Sequence, residues 1–190
     1  MLVLVLGLVL FLGAHSVRIV APGWREAVME RRGKRGWLLP YTAISLVGLV
    51  LIVWGYGMAR LDPVLLYTPA AGLRHVALLL LLPVFPLLIA AYVAGHMKAK
   101  LGHPMLIATI LWGTAHLMAN GRLSDVLLFG GVALWAAIDW ASVLGRAGGP
   151  SALQAPALKN DAIAVAGGLV IYAAFVGGLH VWLFGVSPLP

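Results

Sequence analysis

The sequence predicts an all-α fold, a polytopic transmembrane helix bundle of about six spans, and three observations predict it. The residues are 62% hydrophobic and only 10% charged, with a mean hydropathy of +1.01. A water-soluble domain is about 45–50% apolar and about 25% charged, so the surplus apolar surface has to face hydrocarbon. Apolar runs of about 20 residues, the length that crosses a bilayer, recur between short segments rich in proline, glycine and basic side chains. A chain of 190 residues holds roughly five to seven such helices as a single integral membrane domain, with no separate soluble domain.

The first span is expected over about Leu2–Val20. No lysine or arginine precedes it and its apolar stretch is long, so it reads as a retained helix rather than a cleaved signal. Arg25, Arg31, Arg32, Lys34 and Arg35 follow in the most basic stretch of the chain, read as a cytoplasmic loop. A second span covers about Leu38–Ala59. The connection from Arg60 to Arg74 carries Pro63, Pro69 and Gly72 and reads as an ordered turn region. The third span, about His75–Gly95, contains Pro83 and Pro86, which kink a membrane helix and free carbonyls for other donors. Pro104 suits the first turn of a fourth helix that Asn120-Gly121 ends after Ala119. A fifth span runs from about Ser124 to Leu144, a linker covers Gly145–Pro156, and a sixth span runs from about Asp161 to Phe184. With the N-terminus outside, ten basic residues fall on the cytoplasmic side (Arg18, Arg25, Arg31, Arg32, Lys34, Arg35, Lys98, Lys100, Arg146, Lys159) and three outside (Arg60, Arg74, Arg122). That asymmetry predicts a bacterial inner membrane location with both termini periplasmic.

The sequence contains no cysteine, which removes disulfides, thiolate metal sites, iron–sulfur clusters and cysteine nucleophiles and leaves histidine as the soft ligand. The formal charge of +7 sits beside apolar runs, where it reports topology and contact with anionic lipid, and no nucleic-acid motif accompanies it. Ionisable groups inside a span cost about 2.5–3.5 kcal/mol on insertion scales, so each is a functional candidate. His15, His116 and Asp139 stand out.

His116 shares one helical face with Met105, Thr109, Trp112 and Asn120, at three- and four-residue spacing. Two readings fit: a hydrogen bond to a neighbouring helix, or an axial ligand of haem b with aromatic rings beside the macrocycle. His15, on another helix, is the second candidate ligand. At 1.5 Å per residue it lies roughly 8 Å from the cytoplasmic end of its span and His116 roughly 18 Å from that of its own, so joining them needs a tilted macrocycle or unequal helix ends. His75, His96, His103 and His180 fall at helix ends, where interfacial histidines are ordinary, and His103 is kept as a secondary candidate. Asp139 has Arg146, Arg18 or a histidine N–H as possible partners, which makes Arg18 secondary too.

Four stretches carry a family resemblance: Phe11-Leu-Gly-Ala-His15-Ser16-Val-Arg18, Gly102-His103-Pro104-Met105, Leu111-Trp112-Gly-Thr-Ala115-His116-Leu-Met-Ala119-Asn120-Gly121 and Leu128-Phe129-Gly130-Gly131. Together they resemble the NnrU family of bacterial membrane proteins, related to the 15-cis-zeta-carotene isomerase of plants and cyanobacteria. The resemblance implies haem b held by two histidines, here His15 and His116; Trp112 and Asn120, on the same helical face as His116, are the further cofactor-binding candidates. It also implies a lipophilic polyene substrate isomerised without net redox change when one axial ligand leaves the reduced iron. The NnrU name implies a setting in denitrification and nitric oxide metabolism rather than a reaction. The Arg-His-Pro of the wider group is Gly102-His103-Pro104 here, so that arginine is missing unless Lys98 or Lys100 replaces it. Three function classes follow: a haem-dependent cis–trans isomerase, a non-enzymatic haem protein of nitric oxide metabolism, and a membrane methyltransferase using S-adenosylmethionine. Asp139 stands without the adjacent acidic pair that the last of these would use.

Overall fold

The computed structural model describes residues 1–145 and 155–189. The expected linker therefore lies largely outside the described residues, as does Arg146. The described chain is helical throughout its apolar runs: α1 Leu2–Val20, α2 Pro22–Ala59, α3 Leu73–Leu81, α4 Val84–Ala90, α5 His96–Leu101, α6 Pro104–Ala119, α7 Leu123–Leu144 and α8 Leu158–Phe184. Five stretches, with α3 and α4 taken together, are long and apolar enough to cross a bilayer. The shorter α6 has 16 residues, about 24 Å of helix against a hydrocarbon core of about 30 Å. Apolar side chains along these helices point outward: Leu39 is 71% exposed, Leu79 69% and Val170 69%. Outward leucine and valine on this scale are what lipid-facing helices present.

Three boundaries differ from the sequence reading. The basic stretch expected as a loop is helical on both sides of a break at Gly33, because Arg, Glu, Met and Lys are good helix formers and Pro22 occupies the first turn of α2. The third span is two helices, since Pro83 and Pro86 have no N–H to give to the preceding turn. Leu82 N–H is shared instead between the carbonyls of Leu78 and Leu79, at 3.1 and 3.3 Å. The last helix starts at Leu158, three residues before Asp161, whose carboxylate is engaged elsewhere.

The chain divides into two compact units. The first comprises Met1–Leu66 and Arg122–Gly131. Its centre is the antiparallel pair α1 and α2, in contact where glycine removes the side chain. Gly55 meets the backbone of Leu4, Gly7 lies against Ile52, and Gly48 lies against Phe11. Lipid offers helices no hydrophobic incentive to associate, so close backbone approach at small residues supplies the dispersion energy instead. The start of α7 joins this unit through the buried Asp125, and its turns at Val126–Gly130 widen to a π-helix with Phe129 buried. Phe129 meets the Tyr56 ring edge-on at 6.1 Å.

The second unit comprises Tyr67–Gly121 and Val132–Pro190. Its core is Val84, Leu87 and Ala108, with Leu81, Leu111 and Trp112 packed around them. Gly168 of α8 lies against Pro86 of α4 with no space for a side chain, and Phe85 meets Phe175 at 5.0 Å. The Tyr172 hydroxyl donates to the Leu78 carbonyl at 3.0 Å, which gives one carbonyl of the proline-broken segment a second donor.

Candidate functional site

In α6 the polar stripe folds back on its own helix. Thr109 Oγ1 donates to the Met105 carbonyl at 2.9 Å, His116 Nδ1 to Trp112 at 2.8 Å, and Asn120 Nδ2 to His116 at 2.9 Å. Each bond spans four residues, so one face carries a run of side-chain donors on successive turns. A carbonyl can only accept, so His116 Nδ1 bears the proton, and in the neutral ring the lone pair resides on Nε2. The Trp112 ring lies 5.0 Å from that imidazole. His116, Trp112 and Asn120 are each half-buried.

The end of this helix is held by Tyr67. Its backbone N–H donates to the Gly121 carbonyl at 3.1 Å, and its hydroxyl lies 2.5 Å from the Leu117 carbonyl and 2.8 Å from that of Asn120. These are among the carbonyls that a helix C-terminus leaves without internal donors. Gly121 is required for the approach, because a Cβ there would collide with the Tyr67 carbonyl. At the other end, the His103 carbonyl receives the N–H of Leu106 at 3.1 Å, and the half-buried His103 caps the helix ahead of Pro104.

His15 repeats the arrangement of His116 in the first unit. Its Nδ1 donates to the Phe11 carbonyl at 2.7 Å, and Ser16 Oγ donates to Leu12 at 2.7 Å. The imidazole lies between two aromatic rings, Phe11 at 4.3 Å and Tyr41 at 5.2 Å. From Tyr41 the aromatic contacts continue to Trp37 at 6.0 Å and on to Trp24 at 5.6 Å. His15 belongs to the first unit and His116 to the second. Arg18 is exposed in the last turn of α1, and Asp139 is half-buried on α7.

Two acidic centres escaped the sequence reading. Asp125 is buried, accepting from the Tyr56 hydroxyl at 2.6 Å and from the Arg122 N–H at 3.1 Å. Asp161 accepts the backbone N–H groups of His96 and Met97, each at 2.9 Å, and His96 Nδ1 at 2.9 Å. One carboxylate thus caps α5 and fixes the start of α8, with Asn160 Nδ2 donating to Ala94 at 2.8 Å beside it. An acidic residue in the first turn of α7 and of α8 was the available signal, but their partners lie on distant parts of the chain.

A multi-helix apolar bundle with imidazoles set inside its helices defines a polytopic α-helical membrane protein. The chain matches the family described as NnrU protein over residues 3–188 and belongs to that family. No curated protein and no solved structure matches it significantly.

Proposed function

We propose that this NnrU-family chain is a haem b-binding integral membrane protein that isomerises a lipophilic cis polyene, with His15 and His116 as the residues that would hold the haem. The observation that carries the proposal is the state of the two rings. Each donates Nδ1–H to the carbonyl four residues earlier, each thereby directs its lone pair to Nε2, and each has an aromatic ring within 5.0 Å. An imidazole whose Nδ1–H is held by a backbone carbonyl presents Nε2 as a donor of the kind a b-type haem takes. When bound, haem b would be held by His15 and His116 and would supply the iron chemistry that lowers the rotation barrier of a polyene double bond. The protein's own part is to hold the rings: Phe11 and Tyr41 flank His15, Trp112 flanks His116, and Asn120 and Tyr67 secure the helix end that bears His116. Outward-facing apolar helices give a lipid-soluble substrate its route from the bilayer.

Optical spectra of the detergent-purified protein, oxidised and dithionite-reduced, with a pyridine haemochrome assay, test the reading. A Soret band with sharp low-spin α and β bands is expected, together with conversion of a cis polyene by the reduced protein. Haem without conversion would favour a non-enzymatic haem protein of nitric oxide metabolism. A protein that stays colourless after haem reconstitution overturns the assignment and returns weight to a methyltransferase.

The membrane is proposed to be a bacterial inner membrane with both termini periplasmic, on the ten-to-three division of Lys and Arg between the two sides. A periplasm-active reporter fused at the C-terminus is expected to be active, and a silent fusion overturns that orientation.

A further inference from the structure

The stretch between α1 and the apolar part of α2 carries the chain's densest charge, and neither histidine centre uses that charge. Gly33 breaks α2 there at φ 70 and ψ 172, a backbone conformation that only glycine adopts without strain. Gly36 then lies so close to Arg32 that a side chain at that position would meet the Arg32 Cβ at 2.5 Å. The two glycines make a tight elbow, and Arg31, Arg32, Lys34 and Arg35 are all exposed on it. Among the described residues none of these four is ion-paired to a carboxylate.

The elbow is tied to hydrocarbon on both sides, since Val20 ends one apolar helix and Leu38 begins the next apolar run. Its aromatic residues are those of an interfacial anchor. Trp24 is 59% exposed, Trp37 is buried edge-on to it at 5.6 Å, and the Arg25 guanidinium lies 5.8 Å from the Trp37 ring centre. A segment held at headgroup level, with four unpaired cations within five residues, is complementary to a phosphodiester. Guanidinium groups bind such an anion through paired N–H donors.

We propose that the Arg31–Arg35 elbow is a binding site for an anionic phospholipid headgroup. The bilayer supplies that ligand at the depth where chain connectivity places the elbow, and the glycine-built turn distinguishes the site from a diffuse positive surface. The proposal stands independently of haem.

Native mass spectrometry of the full-length detergent-purified chain, titrated separately with phosphatidylglycerol and phosphatidylcholine, is the test. Phosphatidylglycerol is expected to be retained preferentially. Replacing Arg31, Arg32, Lys34 and Arg35 together by Gln should remove that preference, at about fivefold in affinity per cation. Gly33→Ala should weaken it with no change in charge. Equal retention of both lipids by the wild-type chain overturns the site, and full preference in Gly33→Ala overturns the elbow as its cause. Glycerol phosphate binding as tightly as the lipid overturns the lipid assignment. Should Gly33→Ala fail to fold by circular dichroism, the quadruple variant decides, since its four changes remove only exposed side chains.

Discussion

If His15 and His116 hold a haem as proposed, replacing His116 by alanine is expected to abolish haem retention, and His15→Ala to leave a weakened or five-coordinate centre. Loss of a group that merely orients a metal ligand costs about 10–100-fold in affinity, so removing a ligand itself should exceed about 100-fold. The haem-to-protein ratio from pyridine haemochrome spectra gives the first result, and the low-spin to high-spin change of the Soret band gives the second. Circular dichroism separates ligand loss from unfolding, and both changes are local to it: each imidazole bonds the carbonyl of its own helix, so truncation leaves the i→i−4 backbone ladder intact. Unchanged haem content in both variants would overturn the ligand assignment.

Gly7→Leu disrupts the α1–α2 pair. A Cβ at Gly7 falls 2.6 Å from Ile52 N and 2.9 Å from the Gly48 carbonyl oxygen, both backbone atoms with no rotamer to yield. Overpacking costs about 1–3 kcal/mol where side chains can adjust. Here the helices must separate, so the upper end or beyond is expected, read as a lower unfolding temperature in detergent. Gly13→Leu on the same helix is the control, because nothing lies within 4 Å of a Cβ at Gly13. Equal stability of the two variants would show that α1 and α2 do not depend on glycine contact.

Helix ends marked by their own residues were legible. Leu2–Val20 and Pro104–Ala119 have the bounds that the sequence predicts, the latter because proline opens it and Asn120-Gly121 closes it. The apolar pattern also marked α7 to within one residue. The start of α2 was not legible, because charge density was read as loop while the backbone preference of the same residues is helical. The stripe from Thr109 to Asn120 followed from helical spacing alone, but its return bonds to the carbonyls could not be inferred, since a polar face facing another helix has the same period. Tyr56 and Asp125 were invisible for a different reason: they are 69 residues apart, and no local pattern ties a tyrosine in one apolar run to an aspartate at the start of another. Asp161 was taken for a helix boundary, whereas its carboxylate serves a helix more than 60 residues upstream.

The same 69-residue gap orders the protein's synthesis. A ribosome delivers α1 and α2 early, and their glycine contacts join neighbours in sequence, so this hairpin can assemble as soon as Ala59 has entered the membrane. Its acceptor for the Tyr56 hydroxyl is made only when Asp125 emerges, after the whole of α3 to α6 has been translated. The nascent hairpin therefore waits for that acceptor, and the insertion of α7 supplies it.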